Sequence, residues 1–389
     1  MQDFHAGRGP ISLSLTFAMT IVAFGLPFSG RLIDRVGARK VILVSTFLAG
    51  LILLSAYFCS RTIWHLYLFY AALGVAACGL GPVPYCNVIS HWFDRHRGLA
   101  LGFMMSGLGM GVTVMPAAAQ YLITKFGWRL TFGIFGSEIL VISFPILAAI
   151  LRDKPAVMGL WPDGKASAFN EFPEVDTEAG LSWSEACRTP TFWVLFCACI
   201  LVSASVQACV THFAAVLADR GISVRAAALA TSVLGAGLLV GRTGLGYLLD
   251  RFFAPRVAAI IFGCSAAGIG LLRTPGAQAV GFVAAFAIGL GLGAEVDIMA
   301  YLTSRYFGLR SFATIYGVIF AGFGLAGGLG TYLMGVAFDA TGSYVLTLAL
   351  LCVATSVGAA LMMTLRPYRY QVKASAETRT QIEMLPSES

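Results

Sequence analysis

The chain has 389 residues, 58% hydrophobic and 12% charged, where a soluble domain carries about 25% charged residues. That leaves too little polar surface to cover a soluble globule, so lipid is the natural solvent for most of the chain. The net charge of +7 does not mark a nucleic-acid binder, because the basic residues sit in short loops between long apolar runs, not on one stripe or in one tail.

A bilayer-crossing helix needs about 20 mostly apolar residues. Eleven runs qualify, near 11–30, 41–59, 65–90, 99–121, 129–151, 191–217, 226–249, 256–273, 278–304, 312–337 and 344–365. Backbone polar groups in lipid must be satisfied within the segment, so each run is read as a helix. The expected fold is all-α, a polytopic membrane helix bundle with 11 transmembrane helices. In the third run, Gly79-Leu-Gly-Pro-Val-Pro84 predicts a kink or a close helix contact. In the fourth, Gly107-Leu-Gly-Met-Gly111 lies inside an apolar run and reads as close helix packing, not as a phosphate loop.

One long polar connection divides the chain. Residues 1–151 form an N-terminal half of five helices, 152–189 a central loop, 190–366 a C-terminal half of six helices, and 367–389 a tail. The halves echo each other. Gly30-Arg-Leu-Ile-Asp-Arg35 resembles Gly246-Tyr-Leu-Leu-Asp-Arg251 at an offset of 216, and Trp92-Phe93 matches Tyr306-Phe307 at 214. Repeated halves with a site between them are a hallmark of secondary transporters. The later copy of the motif follows the second helix of its half, the earlier copy the first in the chain. A helix is therefore expected to be missing from the N-terminus.

Lysine and arginine accumulate on the cytoplasmic side of membrane proteins. One set of connections holds 18: Arg31, Arg35, Arg39, Lys40, Arg95, Arg97, Arg152, Lys154, Lys165, Arg188, Arg251, Arg256, Arg305, Arg310, Arg366, Arg369, Lys373 and Arg379. The opposite set holds 7, namely Arg8, Arg61, Lys125, Arg129, Arg220, Arg225 and Arg273. The expected location is the cell membrane, multi-pass, with the central loop and C-terminus cytoplasmic and the N-terminus outside. The first apolar run lacks a small-residue cleavage pattern, so no cleavable signal peptide is expected. Most of the nine cysteines fall in apolar runs without a CxxC pair and read as small packing residues.

The loop Gly30-Arg-Leu-Ile-Asp-Arg-Val-Gly-Ala-Arg-Lys40 resembles the signature loop of the major facilitator superfamily, and the resemblance runs on from about residue 8. Within it the chain is similar to monocarboxylate transporters and oxalate–formate exchangers. The residues carrying this are Arg8-Gly-Pro-Ile-Ser12, Trp92-Phe93…Arg97-Gly98, Gly159…Pro162-Asp-Gly164, Gly241-Arg242…Gly246 and Asp339-Ala-Thr-Gly-Ser-Tyr344. The resemblance implies twelve helices, of which this chain lacks the first, and alternating access between two halves.

Arg242 is the basic residue left over, about 12 Å deep by helical rise. A charge at that depth is costly and faces a cavity or a partner, and the guanidinium fork suits a carboxylate. In the resembled family an arginine here pairs with an anionic substrate; the structural alternative is an ion pair within the bundle. Glu295 and Asp297, in Gly-Leu-Gly-Leu-Gly-Ala-Glu-Val-Asp, lie at similar depth. Two residues apart on a helix, they cannot share a face. A carboxylate out of water is costly as an anion, which suits either one to carry a proton or to pair with Arg242; the alternative is that both are structural hydrogen-bonders. His212 is a further proton-handling candidate, with a packing histidine as its alternative. The resemblance adds Tyr85, Asn87, Gln207, Tyr301 and Tyr316 as cavity-lining positions. It also implies a conformational latch at Gly30, Asp34, Arg35, Gly37 and Arg39, repeated at Asp250 and Arg251.

The resulting expectation is a secondary carrier of small organic anions, monocarboxylates first, coupled to protons, in the lipid bilayer and monomeric. No metal, cofactor, nucleic-acid partner or enzymatic activity is expected. The alternative is a truncated, non-transporting or sensor-like membrane protein of the same fold.

Overall fold

The computed structural model describes residues 8–58, 62–164, 180–274 and 278–368. Cys59, Arg61, Lys165, Arg369, Lys373, Arg379 and both chain ends lie outside the described residues. The helices are α1 (Arg8–Val36), α2 (Ala38–Ser55), α3 (Ile63–Ala77), α4 (Pro82–Trp92), α5 (Arg97–Glu138), α6 (Phe144–Ile150), α7 (Trp183–Cys187), α8 (Pro190–Ala218), α9 (Val224–Arg251), α10 (Ala254–Leu271), α11 (Gln278–Phe307), α12 (Phe312–Thr341) and α13 (Val345–Met363). The third apolar run breaks where its glycines and prolines predict, and Pro82, which has no N–H to lose, opens α4.

Ten segments among the described residues are long and apolar enough to cross a membrane, against the eleven runs expected. The difference lies at 99–121 and 129–151, which join into one 54-residue stretch, Arg97–Ile150. A straight helix of that length would span about 80 Å, far more than a bilayer. Its ends meet instead. The Trp92 indole N–H, just before the stretch, donates to the Arg152 carbonyl just after it at 2.9 Å. The chain reverses at Gly127, whose φ of 76° and ψ of 164° interrupt the helix and suit a residue without Cβ. Large apolar side chains such as Phe103, Val141, Ile150 and Met363 point outward, as a lipid-facing surface requires.

Two seams carry most of the contacts between the helices before and after the central segment: α1 packs on α12, and α5 on α9. Both are backbone-close. A Cβ on Gly30 would collide with the Ala313 carbonyl, and one on Gly98 with the Gly246 carbonyl. Gly30 and Gly246 are the repeat glycines, so each copy of the motif supplies a crossing of the kind small residues permit. The ends of the central segment fasten to the same face of the bundle, here the loop face. Asp153 accepts from the Arg39 N–H at 2.6 Å beside Gly37, whose φ is 93°. At the other end, the Leu181 N–H donates to the Phe307 carbonyl at 2.8 Å.

Candidate functional site

The site has two layers: an outer one at the loop face and an inner one about two helical turns deeper. Helices α12 and α5 begin without a side-chain cap of their own, at Ser311 and His96. Their first N–H groups are therefore orphaned, at the positive end of the helix dipole. Carboxylates from across the seams satisfy them. Asp34 of α1 accepts from the Ala313 N–H at 3.0 Å, the Thr314 N–H at 2.8 Å and the Thr314 hydroxyl. Asp250 of α9 accepts from the Gly98 N–H at 2.8 Å and the Leu99 N–H at 2.9 Å.

Between these caps lies an ionic network that the sequence reading did not single out. Arg305 donates to the Asp94 carboxylate at 2.8 Å and to the Asp94 carbonyl at 2.7 Å. Arg97, almost fully buried, donates to Ser304 Oγ at 2.9 Å and to the carbonyls of Ser90 and Phe93. Asp163, in the left-handed region at φ 62°, accepts from the backbone N–H groups of Asp94, Arg95 and His96. Partial burial opposes its ionisation, but these three donors outweigh it and hold its carboxyl below the usual carboxylate range. The available signal was the closeness of Asp94 and Arg97 in one short connection, with Arg305 beside the repeat-equivalent Tyr306-Phe307.

The inner layer holds Arg242. Its Nη1 donates to the Met105 carbonyl of α5 at 2.8 Å, across the seam, and Gly109 leaves it room. Met105 lies eight residues from the start of α5 and Arg242 nine from the end of α9, so the two reach the same depth. Glu295 and Asp297 are 2% and 1% exposed, and their carboxylate oxygens have no protein hydrogen-bond partner. As their spacing requires, they look different ways. Asp297 is in direct electrostatic range of Arg242, Cys86 of α4 and Tyr316 of α12. Glu295 instead faces Cys199 of α8. Cys86 Sγ and the Tyr316 hydroxyl meet at 3.9 Å, both side chains fully buried.

The other candidates are placed as follows. Tyr85 and Asn87 lie on α4, the first half-buried and the second buried, and the Asn87 carbonyl bonds the His91 ring at 2.8 Å. Tyr301 belongs to the outer network, with the Arg305 guanidinium 5.2 Å over its ring. Gln207 packs against Gly327, between α8 and α12. His212 joins neither layer: its Nε2 bonds the Thr331 carbonyl at 3.2 Å and its Nδ1 the Tyr344 hydroxyl at 3.3 Å. Both ring nitrogens are thereby occupied, which suits a packing histidine. Arg39 ties α2 to the Ala148 carbonyl at 2.8 Å, among the helices before the central segment. Arg35 is exposed, and Arg251 stacks over Tyr247 at 4.7 Å, so neither bridges the seam in this structure. Among the described residues, no three His, Cys, Asp or Glu side chains stand together as metal ligands.

The model of the Major Facilitator Superfamily matches residues 1–331. The chain belongs to that family of membrane transporters and is a multi-pass membrane protein. It is 29% identical over 331 residues to an uncharacterised MFS-type transporter of Escherichia coli K12, YhjX, covering 81% of this chain and 77% of that one. It is 25% identical over 391 residues to monocarboxylate transporter 13 of Rattus norvegicus, covering 97% and 85%. Among solved structures it superposes on the E. coli fucose:proton symporter FucP with a TM-score of 0.64 at 16% identity, covering 94% and 91%.

Proposed function

We propose that this transporter is a secondary carrier of small organic anions, monocarboxylates first, in the cell membrane with its loop face cytoplasmic. It alternates access between two pseudo-symmetric halves, residues 1–151 and 190–366, and couples the anion to a proton. The observation that carries the reading is Arg242. Its guanidinium sits at a seam between the halves, two turns below the loop face, and its hydrogen bond runs to a backbone carbonyl rather than to an acid. A neutral carbonyl is a weaker partner for a guanidinium than a carboxylate, which takes the fork with two charge-assisted bonds. An arriving anion competes for Arg242 and draws it from Met105, which loosens α5 from α9. The same event then recognises substrate and unfastens the seam. The name of the rat relative supports the substrate class, and the uneven division of lysine and arginine between the two sets of connections in the sequence supports the orientation.

In this account the structure is the state closed at the loop face, with Asp34, Asp250 and the Asp94–Arg305 pair as its fastenings. Turnover requires all of them to release together. Each is a surface-proximal polar contact worth about 1 kcal/mol, which suits a closure that holds one state without trapping it.

The test is uptake by the full chain in proteoliposomes, with radiolabelled pyruvate and lactate as probes and lactamide as the uncharged control. Saturable uptake of at least one acid, with lactamide left outside, is the expected result. Equal transport of lactamide, or uptake of neither acid, would overturn the substrate reading.

A further inference from the structure

We propose that Asp297, and not Glu295, is the acid whose proton controls closure of the loop face. This rests on the alternating-access reading above and assigns its coupling residue. Both carboxyl groups are buried without a protein hydrogen-bond partner, but Asp297 is the one in electrostatic range of a residue across the seam, Cys86 of α4. From its own half, Arg242 of α9 and Tyr316 of α12 lie in the same range. Among the described residues, the remaining elements packed on α11 present it other groups. Helix α8 presents Cys199 to Glu295, α10 presents Ser265 to Gly291, and α5 presents Arg97 to Ser304, nearer the loop face. The group in electrostatic range of Glu295 is Cys199, on a helix of its own half, so the pair need not change when the halves move apart.

The consequence for Asp297 follows from burial. Neutral, it fits the dry layer formed with Cys86 and Tyr316. As an anion it has no donor there and is costly. Two events lower that cost: water enters from the loop face, or Arg242 turns from the Met105 carbonyl to Asp297. Both part α5 from α9. The proton leaves to the water that enters. Low pH therefore favours the closed loop face, and rising pH opens it. Tyr316 and Cys86 complete the layer by excluding water while the acid is neutral. The fastening at the surface and the proton below are thus linked through Arg242.

Hydrogen–deuterium exchange of the full chain in lipid nanodiscs reads this directly, because the amides of Gly98, Leu99, Ala313 and Thr314 are protected only while the loop face is closed. After correction for intrinsic exchange, their rates should rise about tenfold between about pH 5.5 and about pH 8. Asp297→Asn should hold them slow at both pH values. Asp297→Glu, which restores a titrating group, should restore the pH dependence. Glu295→Gln should leave it unchanged. A wild-type chain without pH dependence, or loss of that dependence in Glu295→Gln with retention in Asp297→Asn, would overturn the proposal. No solute is present in this experiment, so a failure of the anion reading in the uptake assay is separate from a failure here.

Discussion

Asp34 and Asp250, 216 residues apart in the chain, make the same contact at two seams: each carboxylate spans two consecutive backbone N–H groups at the uncapped start of a helix. Loss of such a cap costs about 1 kcal/mol, so Asp34→Asn and Asp250→Asn should each open the loop face about fivefold more often. Turnover should change while substrate affinity stays, because neither residue is near Arg242. Parallel measurement of uptake rate and of probe binding checks this. A large fall in affinity with unchanged turnover would place these residues in the site instead.

The pair Asp94–Arg305 invites a double-mutant cycle. Asp94→Asn leaves Arg305 and the buried Arg97 facing each other without their shared carboxylate, since Asp94 also lies 3.4 Å from Arg97. The cost should be about 1–3 kcal/mol, discounted because Asp94 is partly exposed. Asp94→Asn with Arg305→Gln removes the unpaired charge and should recover part of it. Thermal unfolding in detergent should show the single variant melting below the double one. Strict additivity would contradict the coupling.

Asp163 makes a pH prediction with a definite sign. Its carboxyl is held below the usual carboxylate range, so its contribution is complete above that range and is lost as the pH falls through its own lowered value. Asp163→Asn should therefore loosen the 94–96 turn at neutral pH, seen as faster exchange of the Arg95 and His96 amides, and its effect should vanish once the native carboxyl is protonated. An unchanged exchange rate at neutral pH would contradict this.

His212 was a reasonable sequence candidate for proton handling, and the structure gives both its ring nitrogens partners away from Arg242 and Asp297. His212→Gln should preserve the pH dependence of uptake and cost about 1 kcal/mol in stability. An altered pH profile would return His212 to the site.

The fold was legible because apolar length and loop charge are local in sequence. The repeat was legible because both copies keep Gly, Asp and Arg at the same spacing, and Gly30 and Gly246 do form the close crossings. The partners of Asp34 and Asp250 were not legible, since they are backbone N–H groups, which every residue carries. The sequence even points the other way at Ser311, a favoured N-cap residue type, yet in the structure neither Ser311 nor His96 caps its own helix. The ionic network was half visible. Arg97 and Arg305 read as orientation charges, and nothing local tells a loop arginine facing water from one bonded to Asp94 across a seam. Tyr301 was assigned to the cavity from its helix, but one turn along α11 moves a side chain from the inner layer to the outer one. The 200° between Glu295 and Asp297 was visible from spacing, whereas which of them faces the seam depends on the roll of α11.

One substitution tests Arg242 as the partner of an anion most directly. Arg242→Lys keeps the charge and loses the fork, at an expected loss of about 1.5–3 kcal/mol, or roughly 10- to 150-fold in uptake. In proteoliposomes holding equal amounts of inserted protein, pyruvate or lactate uptake by Arg242→Lys should fall by that factor. Uptake equal to that of the unsubstituted chain would contradict the account.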